Sequence, residues 1–139
     1  MDYGTLAKEL LNIMNENSRM KYRRDVADFA HGEMSILAYL CFHEDGVCAG
    51  RLCGELKMTT PRISAALSGL SKKNFIFKET DLNDRRRIHI FITDKGRELV
   101  IRKHEELQKD MTRMLRLLGE RDAKEYVRLV GKITAFEEI

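Results

Sequence analysis

Residues 81–97 of this chain read DLNDRRRIHIFITDKGR. In the second half of this stretch, isoleucines alternate with His89 and Phe91, which is typical of a β-strand. A second strand-like run covers residues 75–80, so residues 81–87 connect two strands that are close in sequence. Three consecutive arginines lie in that connection. The stretch therefore predicts a β-hairpin with a strongly basic tip.

A long helix is predicted to follow the hairpin. Thr93 can cap it with its hydroxyl, and the helix runs from Asp94 to about Leu118. A last helix is predicted after Gly119. Apolar stripes at helical spacing are formed by Leu107, Met111, Met114 and Leu118 in the first helix and by Tyr126, Val130 and Ile133 in the second. Neither stripe has an obvious partner in so small a core, so we expect dimerisation to cover them.

The clearest helix start in the chain is MTTP at residues 58–61. We expect Thr60 to cap this helix and Pro61 to occupy its first position, where a missing amide hydrogen costs nothing. The helix extends to Lys73 and ends at Asn74, a residue that tolerates the left-handed conformation. Its inward face comprises Ile63, Leu67 and Leu70, and its outward face Arg62, Ser64, Ala65 and Ser68.

The residues before this helix predict three further helices and one short strand. An amphipathic helix runs from Tyr3 to about Tyr22, and a nearly continuous apolar helix runs from about Gly32 to His43 and forms the core. A short extended segment around Val47 precedes a brief helix from about Gly50 to Leu56.

Charge is distributed unevenly along the chain. The whole sequence carries a formal net charge of +3, whereas residues 51–97 hold eleven basic and five acidic residues, a net of +6. The remainder is therefore at −3. Because nucleic-acid affinity comes largely from neutralising phosphates, a basic middle suits a segment that faces a polyanion. A solvated basic surface is the alternative on charge alone.

Composition bounds the class of protein. With 139 residues, 43% of them apolar, the chain suffices for one packed domain but not for a two-domain enzyme with a large cofactor fold. Three cysteines do not make a disulfide framework, so we expect a reducing cytosol. The longest apolar run, residues 36–42, indicates neither membrane insertion nor secretion. The four histidines lack metal-site spacing and no catalytic motif is present, so we expect no metal, cofactor or enzymatic activity.

Over residues 31–100, the chain resembles the winged helix-turn-helix of the multiple-antibiotic-resistance regulator family (MarR-type). The family's wing pattern is Asp, one residue, Arg, three residues, aliphatic, one residue, aliphatic, Thr. It is reproduced by Asp84, Arg86, Ile90, Ile92 and Thr93. The following Asp94-Lys95-Gly96-Arg97 matches the usual opening of the long helix, and Leu52 to Leu56 and Ile63-Ser64 match the helix-turn-helix positions.

The resemblance implies a single domain over residues 1–139, mainly α with a small β-hairpin wing. Residues from about 31 to 100 would form the DNA-binding lobe, and those from about 1 to 30 and 101 to 139 would supply terminal dimerisation helices. The implied function is that of a cytoplasmic, homodimeric transcriptional repressor that binds a near-palindromic site on double-stranded DNA.

The implied DNA contacts divide between the recognition helix, about residues 60–73, and the wing, about residues 81–87. An α-helix fits the major groove, and Arg62 would make the bidentate contact to guanine. Arg86 would enter a narrow minor groove, and Asp84 would orient an arginine through a charge-assisted hydrogen bond. The complete DNA-facing set is Thr59, Thr60, Arg62, Ser64, Ser68, Arg85, Arg86 and Arg87.

Three residues depart from the family pattern. Cys48 stands where a capping Thr or Ser is usual, Ala65 where an Arg is frequent, and Asn74 where Gly is common, so the operator sequence cannot be borrowed from relatives. The resemblance also implies relief by a small, often aromatic effector, whose binding residues stay unassigned.

Two alternative functions remain open at this point. One is a winged-helix module that docks an acidic protein through its basic face. The other is a thiol-based redox switch at Cys48, because a helix N-terminus stabilises a thiolate. Cys41 and Cys53 are interpreted as core residues instead.

Overall fold

A computed structural model describes residues 1–17 and 21–136 of the chain. Its described residues form seven helices and three short strands. In chain order these are α1 (Tyr3–Asn17), α2 (Lys21–His31), α3 (Glu33–Phe42), β1 (Val47–Cys48), α4 (Ala49–Leu56), α5 (Thr60–Lys72), β2 (Ile76–Thr80), β3 (Ile88–Ile92), α6 (Asp94–Leu118) and α7 (Glu120–Phe136). The mainly α fold with a small β-hairpin is therefore confirmed.

Two compact units divide the chain, Met1–His104 and Glu105–Ile139. The first contains the hairpin, α5 and the whole hydrophobic core, and the second contains the end of α6 and all of α7.

The hairpin belongs to a three-stranded antiparallel sheet with the order β1-β3-β2. Ile76 pairs with Ile92 at its base, and β1 adds to the other edge of β3 by pairing Val47 with Ile90. The predicted strands are confirmed to within one residue. The pairing of β1 with β3 is an addition to the sequence prediction, and it brings the segment before α4 next to the hairpin.

The core of the first unit collects side chains from α3, α4, α5, the sheet and the start of α6. Ile36 and Leu37 of α3 are fully buried, which confirms the predicted core helix, and Leu52 and Val100 are fully buried beside them. The predicted inward residues of α5 also lie in this core, where Ile63, Leu67 and Leu70 are all buried. Burial of this face leaves the opposite face of α5 to solvent.

The N-terminal helices correct the sequence prediction. The sequence predicts one helix from Tyr3 to about Tyr22, whereas α1 ends at Asn17, and residues 18–20 lie outside the described residues. A separate α2 (Lys21–His31) is not predicted at all. It packs against α3, and its sequence does carry a helical signal that the prediction missed, because Tyr22, Val26 and Phe29 are spaced at i, i+4 and i+7.

The start of α5 is displaced by one residue from the prediction. Thr59, not Thr60, has the extended conformation of an N-cap, and its Oγ1 accepts a hydrogen bond from the backbone N of Arg62 at 3.4 Å. Thr60 is therefore the first helical residue and Pro61 the second. Proline is tolerated there because no amide of the first turn has an intrahelical partner.

The second unit is a helical pair. Gly119 has a φ of +84°, a left-handed conformation that ends α6 at the predicted residue, and α7 begins directly after it. Large apolar side chains remain exposed on α7, namely Tyr126, Val127, Leu129, Val130, Ile133 and Phe136. On α1, in the first unit, the exposed apolar side chains include Leu6, Leu10, Leu11, Ile13 and Met14.

Candidate nucleic-acid interface

The solvent face of α5 is polar and short-chained. Arg62, Ser64, Ala65 and Ser68 are all exposed, and Thr59 and Thr60 are exposed at the N-terminus. The cap bond uses the backbone N of Arg62, so the guanidinium takes no part in it. This face therefore presents one long basic side chain among small hydroxyl groups, close to a helix N-terminus.

The turn before α5 anchors the helix to the core. Lys57 adopts a left-handed conformation with a φ of +51°, and the Met58 N donates to the Cys53 carbonyl oxygen at 3.2 Å. Met58 is buried against α3, where its Sδ lies 3.8 Å from the Ser35 hydroxyl. The position of Thr59 and the orientation of α5 are consequently held by core packing on one side of the turn.

The C-terminal end of α5 is held by basic side chains. Lys73 Nζ lies 2.9 Å from the Glu33 carboxylate at the start of α3, and Lys95 Nζ donates to the Lys73 carbonyl oxygen at 3.0 Å. Asn74 then takes a φ of +63°, in agreement with its tolerance of the left-handed conformation. Cations at the carbonyl end of a helix complement its dipole.

Two aspartates organise the tip of the hairpin. Asp81 Oδ1 accepts from the backbone N of Asn83 at 2.8 Å and of Asp84 at 3.2 Å, and Asp81 N donates to the Arg87 carbonyl oxygen at 2.9 Å. Asp84 Oδ1 accepts from the backbone N of Arg86 at 3.0 Å. The loop is thus ordered by its own carboxylates, which is the mechanism of Asx turns.

All three arginines of the tip, Arg85, Arg86 and Arg87, are exposed. From the sequence, Asp84 is expected to orient an arginine by a charge-assisted hydrogen bond. In the structure, the hydrogen bond of that carboxylate goes to the main chain of Arg86. Asp84 therefore positions the backbone from which Arg86 projects and leaves the guanidinium available for other contacts.

His89 is an isolated histidine in the sequence, but in the structure it lies beside the hairpin loop, where it is the cross-strand partner of Glu79. Its Nε2 is 2.9 Å from Asp81 Oδ2, and its Nδ1 is 2.9 Å from the Gly46 carbonyl oxygen. The hydrogen bond from His89 lowers the pKa of Asp81 to about 2. The Asp81 carboxylate and, after it, the Gly46 carbonyl raise the pKa of His89 above its usual value.

The fold of the hairpin and the helices around it matches a known protein family. Residues 33–111 match the family model described as a winged helix DNA-binding domain, which is more than half of the chain. The chain belongs to this family. Its wing is the hairpin tip at residues 81–87, and α5 holds the recognition-helix position of the winged helix.

Solved structures share this winged helix fold over nearly their whole length. MepR, a transcription regulator of the Staphylococcus aureus multidrug efflux pump MepA, is 22% identical with a TM-score of 0.69, covering 97% of this chain and 98% of that one. FabT of Streptococcus pneumoniae, solved in complex with DNA, is 22% identical with a TM-score of 0.69, covering 99% and 98%. A MarR family protein from Bacillus stearothermophilus is 15% identical with a TM-score of 0.72, covering 100% and 99%.

These neighbours confirm the fold that the MarR-type resemblance implied. No curated protein sequence matches the chain.

The cysteines of the winged helix domain occupy unequal positions. Cys48 is the N-cap residue of α4 and makes no side-chain capping hydrogen bond, and its Sγ lies 3.9 Å from His89 Nδ1. Cys41 and Cys53 are partly buried against the core, as interpreted from the sequence. A capping Thr or Ser at position 48 would satisfy a backbone amide that the thiol leaves to other partners.

Two negative findings apply to residues 1–17 and 21–136. In these ranges there is no cluster of three or more His, Cys, Asp or Glu side chains that could hold a metal ion. No helix in the same ranges is long and apolar enough to cross a bilayer.

Proposed function

We propose that this winged helix protein is a homodimeric repressor of transcription that binds a near-palindromic site on double-stranded DNA. The observation that carries the proposal is the division of α5 into two faces: Ile63, Leu67 and Leu70 are buried, and Arg62, Ser64 and Ser68 face solvent. In the same unit, the wing exposes three consecutive arginines. The side chains on the solvent face of α5 can form hydrogen bonds to bases in a DNA groove, and the wing arginines can bind the negatively charged DNA backbone.

In this proposal α5 lies in the major groove. Arg62 makes a bidentate hydrogen bond to guanine, and the hydroxyls of Thr60, Ser64 and Ser68 contact bases or phosphates. Thr59 keeps its cap bond and contacts a phosphate through its hydroxyl hydrogen, since a hydroxyl can donate and accept at once. Ala65 contributes no hydrogen bond, so its base pair is read by shape or methyl contact alone.

The wing, with Arg86 at its centre, enters the adjacent minor groove. A narrow A·T-rich minor groove concentrates negative potential and attracts a guanidinium without base-specific hydrogen bonds. Arg85 and Arg87 then lie near phosphates. The Asp84 bond to the Arg86 amide supports this role, because it fixes the backbone of the inserted residue before DNA arrives.

Dimerisation completes the site. We assign residues from about 31 to 100 to the DNA-binding lobe, and those from about 1 to 30 and 101 to 139 to dimerisation, within one domain of 139 residues. The exposed apolar side chains of α1 and α7 support this assignment, because so much apolar surface is unusual on a soluble monomer. A two-fold dimer would place two recognition helices about 34 Å apart on one face of the duplex.

A DNA-bound neighbour supports the choice of partner, since FabT was solved with DNA. The fold neighbours are regulators, and we assign this chain no enzymatic activity. We place it in the cytoplasm, and relief of repression by a small aromatic effector is part of the proposal.

Two measurements test the proposal directly. Genomic fragments are first selected on the purified protein, and a gel shift at fixed salt then compares the selected duplex with a scrambled one. Light scattering gives the oligomeric state at the same concentration. We expect a dimer that prefers the selected fragment by about a thousandfold or more over non-specific DNA. A monomer, or a protein that binds no duplex in dilute buffer, would contradict the proposal and favour docking of an acidic protein.

Peroxide treatment separates repression from a thiol switch. If oxidation of Cys48 is the function, peroxide should abolish the gel shift of the wild type and spare that of Cys48→Ser. We expect both proteins to keep their affinity.

A further inference from the structure

The His89 ring bridges two hydrogen-bond acceptors. On one side the Gly46 carbonyl oxygen is 2.9 Å from Nδ1, and on the other Asp81 Oδ2 is 2.9 Å from Nε2. Neither a carbonyl nor an ionised carboxylate can donate a hydrogen bond. A neutral imidazole carries one N–H and can serve only one of these partners, whereas an imidazolium carries two and serves both. The geometry fits the protonated ring.

Asp81 transmits this contact to the wing. One oxygen of its carboxylate faces His89, while the other accepts from the backbone N of Asn83 and Asp84 inside the wing loop. Gly46, on the far side of the ring, lies in the loop that leads into β1. A continuous series of hydrogen bonds therefore runs from the loop before β1, through His89, into the wing.

We propose that His89, in its imidazolium form, is a positioning residue that holds the arginine wing in its DNA-binding geometry, so that DNA affinity depends on one protonation event per protomer. The inference rests on the proposed function, because the wing must contact DNA for its position to matter. His89 acts through Asp81 and the wing backbone, and need not touch DNA itself.

Several other charged or titratable groups surround the ring. Glu79 is its cross-strand partner on β2, and Cys48 Sγ from β1 lies 3.9 Å from Nδ1. A surface cavity of about 460 Å³ borders His89, and its charged lining residues are Glu44, Arg51 and Arg87. Arg51 forms an ion pair with Glu44 at 2.7 Å. Arg87 opposes protonation of His89, but the Asp81 and Gly46 contacts outweigh it and the pKa of His89 is raised.

The direction of the pH effect follows from these contacts. Since the pKa of His89 is raised on folding, its stabilising contribution is complete below the ordinary histidine pKa of about 6.5 and is lost as the pH rises through the raised value. The proton then goes to solvent, and the ring must release either Gly46 or Asp81. Asp81, with a pKa of about 2, stays ionised throughout, so the change near neutral pH belongs to His89.

Two variants and a control test whether protonation of His89 affects DNA affinity. His89→Gln has no ionisable group, so its side-chain amide offers the same hydrogen-bond donors at every pH. Asp81→Asn keeps a carbonyl oxygen for the wing amides while its amide nitrogen can donate to Nε2 of a neutral ring, so the series of bonds survives without the proton. His43→Gln removes an exposed histidine that stacks on Tyr39 and is not a partner in the His89 hydrogen bonds.

The affinity of each protein for the selected duplex is measured by fluorescence anisotropy from about pH 6 to about pH 9 at constant ionic strength. Between these limits we expect the Kd of the wild type and of His43→Gln to rise with pH, by at most about tenfold per pH unit above the His89 pKa, and the Kd of His89→Gln to rise less. Asp81→Asn should bind with a flat pH profile. A purely structural role of His89 would lower affinity equally at every pH.

Nuclear magnetic resonance of the His89 ring gives a second readout that needs no DNA. We expect its titration midpoint to lie above the ordinary histidine pKa of about 6.5 in the wild type and to fall in Asp81→Asn. If the wild type and His89→Gln both bind duplex and their Kd values change equally with pH, the role of His89 is wrong and the proposed function stands. A wild type that binds no duplex at any pH overturns the proposed function and the pH coupling with it, whatever the ring titration shows.

Discussion

The Thr93 hydroxyl donates a hydrogen bond to the carbonyl oxygen of Asn74 at 2.7 Å. The same Oγ1 accepts from the Gly96 backbone N at 3.0 Å, and the Thr93 backbone N donates to the Phe75 carbonyl oxygen at 3.0 Å. One side chain therefore joins the end of the recognition helix to the first turn of α6, and its main chain closes the base of the hairpin. The Thr of the wing pattern holds these elements in register.

Replacement of Thr93 by Ala should destabilise the domain. It removes an N-cap bond and leaves the Asn74 carbonyl without its hydroxyl partner, and loss of such a cap costs about 1–2 kcal/mol. Urea denaturation followed by circular dichroism measures the loss. Thr112→Ala is the matched control, because the Thr112 hydroxyl only donates to the Gln108 carbonyl oxygen within α6 and is exposed. Equal stabilities of the two variants would contradict the role given to Thr93.

Replacement of Cys48 by Ser should have the opposite effect. Cys48 occupies the N-cap of α4 with no side-chain cap bond, whereas a Ser hydroxyl can accept from an amide of the first turn, a gain of about 1 kcal/mol. Cys53→Ser, in the middle of the same helix, has no cap to supply and serves as the control. Thermal denaturation should show a higher Tm for Cys48→Ser alone. A lower Tm would mean that the packing of the thiol beside His89 outweighs the missing cap.

The parts of the fold that can be predicted from the sequence are those with local signals. The arginine-tipped hairpin, the long helix from Asp94 to Leu118 and its break at Gly119 follow from alternation, a capping Thr and a left-handed Gly, all of which act over a few residues. The inward face of α5 can also be predicted from the sequence, because the helical spacing of Ile63, Leu67 and Leu70 places them on one apolar face, and all three are buried.

The parts that cannot be predicted in this way depend on tertiary contacts. α2 is the exception, since Tyr22, Val26 and Phe29 are spaced as in an amphipathic helix, and the prediction missed this signal among many polar residues. The His89 contact with Gly46 spans 43 residues of sequence and exists only because β1 pairs with β3. A local pattern identifies the wing arginines, but the bond from His89 to Asp81 of their loop can be found only once the sheet is assembled.

Replacement of Arg62 by Ala should reduce sequence discrimination and leave the N-cap of α5 intact. The cap bond of α5 uses the Arg62 main chain, so truncating the side chain spares the helix start. Removal of one bidentate hydrogen bond to a base costs about 1–3 kcal/mol on the specific site and little on scrambled DNA. Competition gel shifts measure both affinities, and Arg102→Ala, an exposed arginine of α6, is the control. If the ratio of the two affinities is the same as in the wild type, Arg62 does not read bases.

Replacement of Arg86 or Arg87 by Ala should weaken binding through electrostatics. Each guanidinium is exposed on the wing, and each phosphate that it neutralises releases counterions. The slope of log K against log salt should therefore become shallower by about one unit for each phosphate that the variant leaves without its arginine. Arg121→Ala, exposed on α7, should change neither the affinity nor the slope.

Replacement of Asp84 by Ala separates the order of the wing from its arginine cations. This variant keeps all three arginines but removes the carboxylate that binds the Arg86 amide. We expect it to lower affinity with little change in salt slope, since all three arginine cations remain but the loop is less ordered before binding. If the slopes of Asp84→Ala, Arg86→Ala and Arg121→Ala are all equal, the wing lies outside the DNA interface and α5 alone contacts the duplex.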